Sequence, residues 1–104
     1  MSEPNITIDE GELSAALSGE FDMAATFTIE PALERAIDTP GLRRVTLDLS
    51  SVTFIDSTGI GVVLWLAAEL DSRGVPMRIV PAPLEVQRVF ESVGLADALP
   101  FTAA

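Results

Sequence analysis

The segment Asp56-Ser57-Thr58-Gly59-Ile60-Gly61 sets a carboxylate and two hydroxyls where a strand-like apolar stretch gives way to a helix-like one. Ser57 falls at the N-terminus of that helix, where unpaired backbone N–H groups and the positive end of the helix dipole favour negative charge on its oxygen. What Ser57 can do is limited by what the chain lacks. With no histidine and no cysteine in the sequence, a Ser-His-Asp nucleophile, a Cys-His pair, a thiol redox site and a His- or Cys-ligated metal are all excluded. An enzyme that used Asp56 or Ser57 as nucleophile would have no histidine base, and no clustered acidic set suggests a metal site. Ser57 therefore reads as a residue that is modified, in a protein that is not an enzyme. No cofactor is expected, and Gly59-Ile60-Gly61 lacks the third glycine of a dinucleotide fingerprint. The plainer role of Asp-Ser at a helix start is capping, which is compatible with modification.

The elements that must hold this segment follow from periodicity. Residues 5–9 and 12–19 alternate, with Ile6 and Ile8 on one side of the first and Leu13, Ala15 and Leu17 on one side of the second, joined by Asp9-Glu10-Gly11 in a tight hairpin. A helix is predicted from about residue 28 to 37, carrying Ile29, Leu33, Ala36 and Ile37, with Pro31 near its start and Thr39-Pro40-Gly41 as its end. Residues 45–49 form a strand, 50–55 a short loop, and 58 to about 72 a helix stopped by Arg73-Gly74. A strand over 75–80 leads through Pro81-Ala82-Pro83 to a helix with Val86, Val89, Phe90 and Val93, which ends at Gly94 before the tail Leu99-Pro100-Phe101. The order ββαβαβα predicts an α/β fold: a mixed sheet that opens with a hairpin, its later strands parallel and joined by right-handed crossovers, flanked by helices.

In the helix after Ser57, Ile60, Val63, Leu64, Ala67 and Leu70 share a face that should pack on the sheet, while Val62 and Trp65 fall on the other side. That leaves two alternatives for Val62 and Trp65. They pack against a neighbouring helix, or they form an exposed apolar patch running away from Ser57 that marks a binding surface.

A chain of 104 residues, 48% of them hydrophobic, suits one domain over residues 1–104, with 1–4 and 102–104 expected to fray. The longest strongly apolar run, residues 60–68, falls short of the roughly 18 needed to span a bilayer, and Met1-Ser2-Glu3-Pro4 lacks the basic, apolar start of a signal peptide. A cytoplasmic protein is expected. Sixteen acidic against six basic residues give a formal net charge of −10 at pH 7, which repels phosphate backbones and anionic lipid and argues against nucleic acid or a membrane as partner.

Three patches carry a family resemblance: Leu17-Ser18-Gly19-Glu20-Phe21-Asp22, the run from Val45 to Gly61 with Phe54-Ile55-Asp56-Ser57-Thr58-Gly59, and Val86-Gln87-Arg88-Val89-Phe90-Glu91-Ser92-Val93-Gly94-Leu95. Together they resemble the STAS domain, and more narrowly the bacterial anti-sigma-factor antagonists. The resemblance implies a protein that binds a serine kinase which also sequesters a sigma factor. Binding frees the sigma factor, phosphorylation of one serine breaks the pairing, and a phosphatase of the PP2C type restores it. Ser57 matches that serine, with Thr58 the nearby rival; Asp22 matches the acidic residue of the turn beside it, and Asp56 the residue before it. The first-turn N–H groups would partly satisfy the added phosphate, while Asp22 and Asp56 would crowd it with negative charge. Gly59 and Gly61 would keep the helix start narrow for a partner. The expected partner surface is thus Asp22, Asp56, Ser57, Thr58, Gly59, Gly61, Val62 and Trp65. The alternative role is a STAS interaction or ligand-binding module in a lipid-transport or stress-signalling assembly.

Overall fold

Alternation at the start of the chain resolves into the predicted hairpin. In the computed structural model, which describes residues 3–103, β1 (Asn5–Asp9) and β2 (Glu12–Phe21) run antiparallel, with Ile6 opposite Ala15 and Ile8 opposite Leu13. Both turn residues have positive φ, Glu10 at 51° and Gly11 at 82°, as a type I′ turn requires. Gly11 is doubly constrained, because a Cβ there would lie 2.6 Å from the Gly41 carbonyl oxygen.

The chain continues through α1 (Met23–Ile37), β3 (Arg44–Ile55), α2 (Ser57–Ser72), β4 (Met77–Val80) and α3 (Leu84–Ser92). Strand order is β1-β2-β3-β4, and the β2–β3 and β3–β4 pairs are parallel. Two crossovers that step the same way across the sheet with the usual right hand bring α1 and α2 to one face, where they pack against each other. That face of the sheet supplies Leu13, Ala15, Leu17, Val45, Leu47, Leu49 and Ile79, each at most 1% exposed. Alternate positions such as Thr7, Ser14 and Arg78 are polar and exposed.

Two sequence expectations need correction here. β3 does not stop at Leu49 but runs to Ile55. Its pairing with β2 shifts register between Ala16 and Ser18 and again between Gly19 and Glu20, each shift inserting an extra β3 residue. Core positions therefore fall at Val45, Leu47, Leu49, Val52 and Ile55, a spacing that changes from two to three and defeats a period-two template. Helix α1 starts at Met23 instead of near Thr28, with a core face of Ala25, Ile29, Leu33 and Ile37. Pro31 consequently lies inside the helix, not near its start. Smaller differences are that α2 begins at Ser57 and β4 at Met77.

The tail is tied down through β4. Ile79 N–H donates to the Pro100 carbonyl and Thr102 N–H to the Ile79 carbonyl, each at 2.8 Å, and the Phe101 ring meets buried Phe90 edge-on with centroids 5.1 Å apart. Thr102, expected to fray, is held by that bond, whereas Met1, Ser2 and Ala104 lie outside the described residues. Among the described residues no helix is long and apolar enough to cross a membrane.

The bulged register is testable residue by residue. Val52→Asp should abolish cooperative folding, because an unpaired carboxylate buried there costs several kcal/mol out of a typical total of about 5–15. Ser51→Asp and Thr53→Asp, on exposed positions, should melt close to the parent. Thermal denaturation followed by circular dichroism distinguishes this from strict alternation, in which residues 51 and 53 would be the sensitive ones.

Candidate functional site

Phe21 and Ile55 are register partners at the ends of two parallel strands, and each is followed by one aspartate and then a helix. The repeated arrangement sets two helix N-termini side by side at the carboxyl end of the strands, where α/β sheets build their sites. Asp22 caps α1, its Oδ1 accepting from Ala25 N–H at 3.0 Å. Asp56 caps α2 more fully: its Oδ1 accepts from the amides of Thr58 at 3.0 Å and Gly59 at 3.2 Å and from the Thr58 hydroxyl at 2.5 Å. The Thr58 hydroxyl, and next the Gly59 amide, hold the Asp56 carboxyl below the usual carboxylate range, with the Met23 amide on α1 adding to the effect. Asp56 is therefore ionised at neutral pH beside Ser57.

The two strand ends are also stitched by backbone. Asp56 N–H donates to the Phe21 carbonyl at 3.4 Å, and α2 starts so close to β2 that a Cβ on Gly59 would lie 2.5 Å from the Phe21 carbonyl oxygen and 2.9 Å from Ile55 Cγ1. Gly59 is buried, and its reason for being glycine is internal. Gly61 is different, for it is exposed and a Cβ there would meet nothing within 4 Å.

Ser57, the first residue of α2, is exposed, and among the described residues no hydrogen bond holds its hydroxyl. Thr58 is half-buried with its hydroxyl committed to Asp56. Of the two candidate acceptors, Ser57 is the exposed one and the one whose hydroxyl is not committed to Asp56. The expectation that first-turn amides would receive a phosphate needs correction, however. Thr58 and Gly59 already donate to the Asp56 side chain, and Ile60 N–H donates to the Asp56 carbonyl at 3.0 Å. A phosphate on Ser57 would have to compete with Asp56 for those groups.

Farther along α2 the helical-wheel expectation fails in part. Val62 is 4% exposed and belongs to the core, so it offers a partner nothing, while Leu64, expected inside, is 40% exposed. The sheet lies below α2 and α1 packs along its side, so the buried arc, which includes Ile60, Val62, Val63, Leu66 and Leu70, is wider than a one-sided amphipathic stripe. Trp65 follows the first alternative for it. It is partly buried against the core and lines a cleft of about 260 Å³ between α1 and α2 with Glu34, Ile37, Asp38, Glu69 and Arg73. Arg73 closes the cleft by donating to the Ile37 carbonyl at 3.1 Å, Asp38 Oδ1 at 2.9 Å and Glu69 Oε1 at 3.1 Å.

Sequence reasoning missed Met23 and Phe27, which are 59% and 76% exposed on the outer side of α1. The helix expected from about residue 28 starts after both. The available signal was Asp22 as a cap followed by apolar residues every fourth position from Ala25.

Known proteins share this architecture. The STAS domain family model matches residues 3–104. BtrV of Bordetella bronchiseptica, assigned as an anti-sigma factor antagonist, is 36% identical over 99 residues, covering 91% of this chain and 83% of its own. The anti-sigma F factor antagonist of Paenibacillus polymyxa is 28% identical over 90 residues, covering 86% of this chain and 77% of its own. Among solved structures, the unphosphorylated form of the anti-sigma factor antagonist SpoIIAA superposes with a TM-score of 0.79 at 22% identity, over 96% of this chain and 88% of that one. The phosphorylated form of Bacillus SpoIIAA gives 0.73 at 21% identity, over 96% and 91%.

The two glycines should respond with opposite signs. Gly59→Ala drives a methyl into the Phe21 carbonyl and should lower the melting temperature. Gly61→Ala, in open space inside a helix, should raise stability by about 0.5–1 kcal/mol. Denaturant unfolding of both variants measures this, and two changes of the same sign would contradict the packing described.

Proposed function

We propose, from the premise that this chain belongs to the STAS domain family, that it works as an anti-sigma-factor antagonist. It binds a serine-kinase anti-sigma factor and so releases a sigma factor, and phosphorylation of Ser57 switches it off. The observation that carries this reading is Ser57, exposed at the first position of α2 with no hydrogen bond to its hydroxyl among the described residues, beside an ionised capping carboxylate. Relatives described as anti-sigma factor antagonists supply the partner class, and SpoIIAA, which shares the fold, exists in phosphorylated and unphosphorylated forms.

Unmodified, the site is a neutral hydroxyl on a glycine-containing helix start that a partner can approach closely. Gly61 fits that use, since its lack of a side chain serves nothing inside the fold and costs helix stability. A phosphate adds about −1.5 to −2 charges next to Asp56, whose carboxylate already holds the nearby amides. Enclosing that charge in an interface without a counter-ion costs about 3–5 kcal/mol, and each 1.4 kcal/mol is tenfold in affinity. One modification therefore suffices to separate the partners. The fold has no stake in the Ser57 hydroxyl, so the modified protein stays folded and a PP2C-type phosphatase can return it to the active form. The protein acts as a binding module in the cytoplasm, where kinase, ATP and sigma factor meet.

The test is incubation with the serine-kinase anti-sigma factors of the source organism and ATP, followed by site-resolved mass spectrometry. Phosphate should appear on Ser57 at full stoichiometry and not on Thr58. Ser57→Ala should stay folded, accept no phosphate and bind the kinase constitutively, and Ser57→Glu should bind weakly. Full modification of the Ser57→Ala protein would show the assignment to be wrong.

A further inference from the structure

We propose that the surface through which this protein holds its kinase extends from Ser57 onto the outer side of α1, with Phe27 as its apolar anchor and Met23 beside it. The inference rests on the functional reading above. It also says what that reading does not: the partner must offer an apolar pocket ringed by lysine or arginine side chains.

Phe27 has no role inside the fold. The core face of α1 is Ala25, Ile29, Leu33 and Ile37, and Phe27 projects from the other side as the most exposed large hydrophobic residue among those described. Met23 lies one turn earlier, and its amide lies close to the Asp56 carboxylate, so the patch adjoins the Ser57 site. Glu34 lines both the groove that contains Phe27 and the cleft that contains Trp65, which makes one continuous strip along α1 and α2. Pro31, also in that groove, has no amide to give the Phe27 carbonyl four residues earlier.

Charge decides the occupant. The six basic residues of the sequence are all arginines, and Arg35 and Arg73 sit at the C-terminal ends of α1 and α2, away from Ser57. Between those ends and the site the helices carry Glu30, Glu34 and Glu69, with Asp22 and Asp56 at the caps, and no basic side chain. An apolar anchor whose groove carries Glu30 and Glu34 and no basic side chain fits a cationic rim and repels a second copy of this acidic chain. The cationic rim belongs around Phe27, and the partner surface over Ser57 must lack a cation for a phosphate there to break the pairing.

The test titrates the kinase that modifies Ser57 against the full chain and its variants by calorimetry. Phe27→Ala should weaken binding about 30-fold or more, the level of an interface anchor, with an unchanged melting temperature. Glu30→Lys combined with Glu34→Lys should weaken binding further and flatten its dependence on salt. Unchanged affinity for Phe27→Ala while wild-type Ser57 is still phosphorylated overturns this proposal and leaves the functional reading standing. Stronger binding by the charge-reversed protein overturns the cationic rim. A Phe27-dependent dimer of the wild type alone, seen by light scattering, assigns the patch to a second copy and overturns it as well. If no kinase binds or modifies the wild type, both readings fail together.

Discussion

The Asp56 carboxylate is the group on which the site depends. It lies between β3 and α2, takes the Thr58 hydroxyl and the Thr58 and Gly59 amides, and is paired through its own amide with the end of β2. These bonds fix the first turn of α2 and consume the donors of Thr58, so the neighbouring Ser57 is left with a hydroxyl that no hydrogen bond holds among the described residues. They also hold the carboxyl ionised. In the proposed function, cap and switch are thereby separated by one residue: Asp56 carries the structural work and Ser57 would carry the phosphate.

Under the proposed function, that division would let a single phosphate have a large effect on binding and a small one on folding. The core beneath is continuous from Leu13 through Leu47 to Leu66 and, among the described residues, holds no buried polar or charged side chain, so a charge added on Ser57 bears on the Asp56 cap and not on the core. What the surface gives up is local stability. Gly61 inside a helix and the exposed side chains of Met23 and Phe27 are unfavourable for an isolated domain. Residues that cost stability without serving the core are where binding should be sought.

Much of this was legible in the sequence, for identifiable reasons. The hairpin follows from period-two alternation around Gly11, the parallel order from strands alternating with helices, and the start of α2, to within one residue, from an Asp-Ser pair before an apolar run. Phe54 and Val52 were not legible as strand residues, because two bulges in β3 change the spacing of its core positions and only the β2 partner reveals them. Val62 was misjudged because a helix wheel assumes one buried side, while α2 is covered by the sheet and by α1. Phe27 was missed by starting α1 too late; its exposure is a tertiary property that no local pattern encodes. The sequence also led to the first-turn amides as a phosphate cradle, and it could not show that Asp56 occupies them.

The central claim is that charge at Ser57 changes the partner surface and not the fold. Its most direct test is a calorimetric titration of the kinase anti-sigma factor with protein carrying stoichiometric phosphoserine at position 57, beside backbone amide spectra of the same sample. The account predicts affinity lower by about a hundredfold or more, with amide shifts confined to the surroundings of Asp22 and the start of α2. Undiminished affinity, or shifts spread through the core around Leu47 and Leu66, would contradict it.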